Sequence, residues 1–263
     1  MEVLRPTSLD EALRLKSDHP DAVPIEGGTD VMVALNFDRL RPPALIDLNP
    51  VLELKGWSRD NGTLRLGAGL TYVEAMREPL GGLLPALAEA SRTVGSPQIR
   101  NRGTIGGNLG TASPAGDALP PLLVEDAEVE LASGGGSRTV PLGEFLVGPK
   151  RNALAPDELI VAVHVHPSGS TQTFMKVGPR NAMVIAVVSL ALAVDRERDE
   201  IRAAFGSAGP VVGLVTAPLE ERGHFPQLVA EAASPIDDVR GTALYRRHAL
   251  RVLTQRALER CLL

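Results

Sequence analysis

Two pairs of adjacent glycines occur in settings that favour ligand binding. The first lies in Pro24-Ile25-Glu26-Gly27-Gly28-Thr29-Asp30-Val31, and the second in Thr104-Ile105-Gly106-Gly107-Asn108. Paired glycines let the backbone approach a ligand with no Cβ in the way, and successive N–H groups in such turns form concave anion-binding nests. A helix that follows adds its positive N-terminal end. Two nests far apart in the sequence suit a ligand with two phosphates and polar groups beyond them, which describes a dinucleotide.

Hydroxyl side chains accompany both glycine pairs. Thr29 belongs to the first segment, Thr104 to the second, and Thr111 and Ser113 follow the second closely. Each pair taken alone is explained as well by a tight turn, because glycine is common at turns. The two pairs together, with their clustered hydroxyl donors, favour a ligand.

Two charged residues each have two interpretations. Asp117 follows Ser113-Pro114, which is typical of a helix N-cap and an N1 proline. It is therefore either a first-turn acid that interacts with the helix dipole or an acceptor for a ligand N–H or hydroxyl. Lys176 either faces solvent or places a positive charge beside the ligand.

Other chemistries lack their motifs. The sequence contains no Gly-x-Ser-x-Gly, no His-Glu-x-x-His and no Walker A lysine, so nothing indicates a hydrolase or a kinase. His164 and His166 alternate and would share one face of a strand, but no third ligand completes a metal site. Cys261 is the single cysteine, which excludes an internal disulfide and a cysteine-ligated iron–sulfur cluster. Gly67-Ala68-Gly69-Leu70-Thr71-Tyr72 matches half of a dinucleotide fingerprint, and we interpret it as a strand end that leads to a helix cap.

Composition narrows the class of protein. The 263 residues suffice for one large domain or two ordinary ones, and the 44% apolar and 22% charged fractions are typical of a globular protein. A net charge of −5 argues against nucleic acid as the main partner. The start of the chain lacks the features of a secretory signal, and the apolar run 182–194 is too short to span a bilayer. We therefore expect a cytoplasmic location and no membrane span.

The first two-thirds of the chain mix short strands and helices. Capping boxes predict helices that start after Ser8 and Thr71, and Asn61-Gly62 predicts a hairpin turn within 57–69. A strand at 22–25, the first glycine pair and a helix at 31–35 form a small βα unit. Further strands are predicted at 44–48, 127–132, 138–142 and 158–165, and a further helix at 83–94. The polar stretch 95–117 reads as neither core nor linker.

The pattern changes after Pro167. Strands are predicted at 172–177, 182–194 and 200–206, followed by helices at 225–233 and 242–262. Strands followed by helices suggest a separate α+β domain, with a boundary near 167–171. The last helix carries Arg246, Arg247, Arg251, Arg256 and Arg260. These arginines form either a solvated basic face or a docking surface for a partner.

The sequence resembles a known family over nearly its whole length. Residues 26–30 are similar to the first FAD loop, and residues 99–109 with 111–117 to the second FAD loop, of the FAD-binding medium subunits in the xanthine dehydrogenase and carbon monoxide dehydrogenase class. Residues 44–48, 176–178, 234–241 and 245–248 match that family too.

The resemblance implies an α+β fold: a two-part FAD-binding domain of the vanillyl-alcohol-oxidase type (PCMH-type), followed by a smaller α+β domain. The FAD-binding domain would span 1–167, with parts at about 1–55 and 56–167, and the C-terminal domain 168–263. The cofactor-binding residues implied are Pro24, Ile25, Glu26, Gly27, Gly28, Thr29, Asp30, Val31, Val94, Thr104, Ile105, Gly106, Gly107, Asn108, Thr111, Ser113, Asp117, Ile160 and Lys176. Residues 24–31 would hold the pyrophosphate and the adenine side, and 104–108 the pyrophosphate and the ribityl region. Asp117 and Lys176 would lie at the flavin end, and Val94 and Ile160 would pack on the cofactor.

The resemblance also implies an activity and partners. The chain would be the FAD-containing oxidoreductase subunit of a molybdenum hydroxylase, with a small [2Fe–2S] subunit and a large molybdopterin subunit in a dimer of heterotrimers, a heterohexamer. FAD would collect electrons from the iron–sulfur clusters and pass them to NAD, a quinone or oxygen. One alternative is a stand-alone FAD-dependent reductase of the same fold. Another is a non-catalytic scaffold that has lost FAD.

Overall fold

A computed structural model describes all 263 residues, which form three main β-sheets and the helices packed on them. The first sheet has the order β1-β3-β2 and is wholly parallel. Its elements are β1 (Glu2–Leu4), α1 (Leu9–Asp18), β2 (Val23–Ile25), α2 (Val31–Asn36) and β3 (Ala44–Asp47). Ser8 caps α1 by accepting a hydrogen bond from the Glu11 N–H, as predicted. Because β2 leads through the first glycine pair into α2, the loop 26–30 lies at the carboxyl end of a parallel strand, a common position for ligand sites.

The second sheet is antiparallel, with the order β4-β5-β10-β6-β7. Its strands are β4 (Trp57–Asp60), β5 (Thr63–Gly67), β6 (Glu128–Ser133), β7 (Gly136–Pro141) and β10 (Leu159–Val165), with a small pair β8 (Leu146–Gly148) and β9 (Arg151–Asn152) nearby. Its helices are α3 (Tyr72–Ala75), α4 (Leu80–Leu83), α5 (Pro85–Thr93), α6 (Pro97–Arg100), α7 (Ile105–Thr111), α8 (Leu119–Val124) and α9 (Leu142–Phe145). The predicted hairpin turn at Asn61-Gly62 is confirmed, with φ angles of 48° and 88°. So is the capping box at Thr71, whose side chain and backbone exchange hydrogen bonds with Glu74.

The polar stretch before Asp117 is more regular than its composition indicates. It contains α6 and α7, and Ile105 and Leu109 of α7 are fully buried. The interpretation of Ser113-Pro114 as a helix start is wrong: the Gly116 N–H donates to the Ser113 carbonyl at 2.8 Å and closes a turn, and α8 begins only at Leu119. Asp117 therefore precedes the helix and is not one of its first-turn acids.

The third sheet is antiparallel, with the order β11-β12-β13-β14. Its elements are β11 (Thr171–Val177), β12 (Val188–Asp195), β13 (Glu200–Gly206), β14 (Gly213–Pro218), α10 (Phe225–Ala232) and α11 (Ala243–Leu262). The strand predicted at 182–194 begins later, because Met183 has a φ of 52°, which an extended strand does not allow. None of the helices combines the length and apolar character needed to cross a membrane.

Both faces of the third sheet are covered. One face shares a core with α10 and α11, to which Leu190, Phe225 and Leu250 belong. On the other face Phe174 and Ala204 join the core of the second sheet and its helices. Every residue of β12 is buried for this reason. The third sheet is thereby fixed directly against the elements that carry the polar motifs.

Glu125 fastens the connection between the second and third sheets. Its carboxylate, 5% exposed, accepts hydrogen bonds from the Ser168 N–H and hydroxyl, both at 2.9 Å, and from the Gln172 amide. Burial raises the pKa of this carboxyl, and the hydrogen bonds from Ser168 oppose the rise. Glu125 thus ties the end of α8 to the segment that enters β11.

Replacing Glu125 with alanine should lower the free energy of unfolding by about 2 kcal/mol, since buried donors lose their acceptor. Denaturant unfolding measures the change. Glu144→Ala, at an exposed position of α9, is the matched control and should stay within about 0.5 kcal/mol of the parent. Equal losses for the two variants would contradict the assigned role of Glu125.

Candidate functional site

A cleft of about 320 Å³ lies between the first and second sheets. Its lining combines the loop after β2, the start of α7 and the beginning of β10. The lining residues are Val23, Pro24, Glu26, Gly27, Gly28, Thr29, Asp30, Val31, Leu48, Leu54, Ala68, Gly69, Tyr72, Gly103, Thr104, Gly106, Gly107, Asn108, Gly110, Thr111, Leu154, Glu158, Leu159 and Ile160. Both glycine motifs therefore face one cleft.

The first loop presents free backbone donors. The N–H groups of residues 27–31 donate hydrogen bonds to no protein atom, and α2 begins at the last of these residues, Val31. Gly28 has a φ of 71°, which glycine adopts without strain. Such a run of unpaired N–H groups in a turn is the arrangement that binds phosphate oxygens.

The first loop rests directly on the segment before the second motif. A Cβ on Gly27 would lie 2.0 Å from the carbonyl oxygen of Arg102, so only glycine allows this approach. The Arg102 guanidinium donates to the Glu26 carbonyl at 3.0 Å. Across the cleft the Thr111 hydroxyl donates to the Asp30 carboxylate at 2.8 Å. These contacts hold the two motifs in a fixed relation.

The second motif uses its backbone donors differently. The N–H groups of Ile105 and Gly106 donate to the carbonyls of Leu70 and Ala68, at 2.9 and 2.8 Å, and the Gly107 N–H donates to the Thr104 hydroxyl at 3.0 Å. They are not free to form the nest that the sequence predicts. A Cβ on Gly106 would lie 2.6 Å from that of Ala68, so this glycine serves packing. What the second motif offers the cleft is the exposed Gly107 and the side chain of Asn108, whose buried Oδ1 has no hydrogen-bond partner.

Asp117 and Lys176 form a buried ion pair outside the cleft lining. The Lys176 Nζ lies 2.6 Å from the Asp117 Oδ2, with side-chain exposures of 5% and 10%. Lys176 also donates to the carbonyl and the hydroxyl of Thr93. Burial raises the pKa of the Asp117 carboxyl, and the Lys176 ammonium opposes the rise. The interpretation of Lys176 as solvent-facing is wrong.

The structure brings most of the sequence-predicted residues together. Those that line the cleft are Pro24, Glu26, Gly27, Gly28, Thr29, Asp30, Val31, Thr104, Gly106, Gly107, Asn108, Thr111 and Ile160. Those that do not are Ile25, Val94, Ile105, Ser113, Asp117 and Lys176. Ile25 lies against Gly28, and Ile105 lies in the core. Val94 caps the end of α5, and Lys176 donates to the neighbouring Thr93.

Several cleft residues were not predicted from the sequence. Gly103 lies within the segment 99–109 and Gly110 directly follows it. Their lack of a side chain was the feature of the sequence that could have indicated a place in the cleft. Tyr72 was interpreted only as the first residue of a capped helix, and no local pattern distinguishes a cleft-facing tyrosine there. Glu158 and Leu159 lie at the start of β10, and the packing that brings this strand end to the cleft is not specified by the sequence.

The basic face of α11 is not uniformly solvated. Arg246 is 2% exposed and donates to the carbonyls of Val187 and Ser207 and to the Asp238 carboxylate. Arg260 pairs with Glu89 on α5. Two of the predicted surface arginines thus hold the third sheet and α5 in place.

Comparison with a family model and with known proteins identifies the same family. Residues 1–167 match the family model described as the FAD binding domain in molybdopterin dehydrogenase. The chain is 32% identical to the 6-hydroxypseudooxynicotine dehydrogenase complex subunit alpha of Paenarthrobacter nicotinovorans, over 97% of this chain and 92% of the relative. It is 29% identical to the xanthine dehydrogenase FAD-binding subunit of Escherichia coli O157:H7, over 97% of this chain and 94% of the relative.

Solved structures agree over the full length. A chain of carbon monoxide dehydrogenase from Hydrogenophaga pseudoflava superposes with a TM-score of 0.92 at 26% identity. The match covers 100% of this chain and 97% of the other. The arrangement of all three sheets is therefore shared with that protein.

Proposed function

The chain belongs to the family of FAD-binding domains of molybdopterin dehydrogenases, and on that premise we propose that it is the electron-transfer subunit of a molybdenum hydroxylase complex. It would take electrons from the [2Fe–2S] clusters of a small partner subunit and pass them to NAD, a quinone or oxygen. A large molybdopterin subunit would carry the substrate chemistry, in a dimer of heterotrimers. FAD, when bound, supplies the exchange of electrons between one-electron and two-electron partners.

The cleft fits FAD on its own chemistry. The single observation that carries the proposal is the run of unpaired N–H groups at residues 27–31, which line the cleft together with the second motif. A pyrophosphate needs such donors, and no acceptor within the protein satisfies them. We propose that these groups hold the pyrophosphate.

Orphaned side-chain atoms mark further ligand positions. Oε2 of Glu26, Oδ1 of Asn108 and Oδ1 of Asp117 are buried and have no hydrogen-bond partner. Buried polar atoms are normally paired, so three near the motifs indicate missing donors. The hydroxyl and N–H groups of FAD are donors of this kind. In this proposal Asn108 binds the ribityl region, and Asp117, oriented by Lys176, binds the flavin end.

The proposal is tested first on the purified chain. Its absorption spectrum should show bands near roughly 370 and 450 nm, and acid should release FAD in a ratio near one per chain, because binding is non-covalent. A chain that stays colourless after incubation with FAD, while folded by circular dichroism, would contradict the assignment of the cleft.

Partner subunits are tested on the complex isolated from its native host. Iron and molybdenum, measured by elemental analysis, should co-purify with FAD in a fixed ratio through successive columns. Purification of an FAD-loaded chain without either metal would instead favour the stand-alone reductase.

A further inference from the structure

Tyr72 lines the cleft together with residues of both motifs. It is the first residue of α3 and 5% exposed, and its N–H donates to the Gly103 carbonyl at 3.1 Å. Its ring packs on Gly103, since a Cβ there would lie 3.1 Å from Cδ2 and Cε2 of the ring. The aromatic ring is therefore fixed by the same segment that positions the first loop.

The Tyr72 hydroxyl is left without a partner. It forms no hydrogen bond with the protein and is not sealed from solvent, and the residue lines the cleft. Buried tyrosines usually pair their hydroxyl. An unpaired phenol in a ligand cleft is a donor directed at the ligand.

The surroundings keep this phenol protonated. Burial raises the pKa of Tyr72, and the nearby charges of Asp117 and Asp30 raise it further. Asp30 belongs to the first loop and Asp117 to the proposed flavin end, so Tyr72 is close enough to both parts of the site for their charges to act on it. Neither carboxylate accepts a hydrogen bond from the Tyr72 hydroxyl, which leaves the O–H available to donate to a ligand.

We propose that the Tyr72 hydroxyl donates a hydrogen bond to FAD at the ribityl segment, between the pyrophosphate and the flavin ring. This inference rests on the proposed function and adds to it a cofactor contact that the sequence motifs do not contain. It makes Tyr72 a determinant of affinity for FAD over nucleotides that end at the pyrophosphate.

The experiment compares FAD and ADP as ligands of the flavin-free chain, by isothermal titration calorimetry. Tyr72→Phe should weaken FAD binding about five- to tenfold, the effect of one lost hydrogen bond, and leave ADP binding unchanged. The chain has two tyrosines, so Tyr245→Phe, at a position 47% exposed on α11, is the matched control. Thermal unfolding of both variants checks that the ring still packs.

The outcomes separate the inference from its premise. Equal FAD affinities for the parent and Tyr72→Phe would overturn the contact, and an equal loss for FAD and ADP would overturn its place at the ribityl segment. Failure of the parent chain itself to bind FAD would overturn the proposed function, and the inference with it. A selective loss for FAD supports both.

Discussion

Replacing Gly27 with alanine should lower the affinity for FAD roughly 100-fold. The added Cβ would lie 2.0 Å from the Arg102 carbonyl oxygen and 3.2 Å from the Gly103 Cα, both backbone atoms that no side-chain rotation can move aside. Overpacking of this kind costs up to about 3 kcal/mol, which corresponds to a factor of about 100 in a dissociation constant. The cost falls on FAD binding because the first loop must leave its place on Arg102 and Gly103, the segment before the second motif. Titration of the flavin-free variant with FAD measures the loss.

The control for Gly27 is a glycine in open space. A Cβ added to Gly134 would have no heavy atom within 4 Å, and the φ of this residue is not positive, so Gly134→Ala should bind FAD as the parent does. Gly28→Ala tests the same loop by another route, because its φ of 71° is strained for alanine while the nearest contact is the flexible Met32 side chain at 3.3 Å. Normal FAD affinity in Gly27→Ala would show that binding does not depend on the close approach of Gly27 to Arg102.

Local sequence signals predicted individual helix starts and turns well. The capping hydroxyls of Ser8 and Thr71 and the Asn61-Gly62 turn act through neighbours a few residues away, so their patterns are sufficient. The strand, glycine pair and helix predicted at 22–35 are equally local. These signals place the first loop at a strand end and predict its free N–H groups.

Local sequence patterns do not predict contacts between distant segments. Gly27 and Arg102 meet because two sheets pack together, and that meeting gives the first glycine pair its steric role. For the same reason the sequence did not predict that the Gly106 N–H donates to the Ala68 carbonyl and not to a ligand. The polar composition of 95–117 did not indicate core residues, yet Ile105 and Leu109 within this segment are fully buried. The burial of Lys176 depends on the third sheet packing against α5 and α8, which no spacing in the sequence encodes.

Removing the positive charge of Lys176 should destabilise the protein by about 3–5 kcal/mol at neutral pH, the usual cost of breaking a buried ion pair. In Lys176→Met the Asp117 carboxylate would stay buried without its counter-ion, and its Oδ1 already has no hydrogen-bond donor. Denaturant unfolding of the flavin-free chain measures the loss without a contribution from cofactor binding.

The pH dependence distinguishes this cause from a loss of packing. Burial raises the pKa of Asp117 above its ordinary value of 3.8, so the folded state holds this proton more tightly than the unfolded state. The stability from that proton is present at low pH and is lost as pH rises through the folded-state pKa. Without the ammonium the pKa rises further. The gap between parent and Lys176→Met should therefore be widest near neutral pH and shrink as the pH falls towards 3.8.

A second substitution completes the argument. Asp117→Asn removes the charge that Lys176→Met leaves unpaired, so the double variant should recover most of the lost stability and lose the pH dependence. Additive losses in the double variant would mean that the two side chains do not act as a pair. Recovery of stability without recovery of FAD affinity would indicate in addition that the charged pair itself acts on the cofactor, because the double variant restores the fold but neither of the two charges.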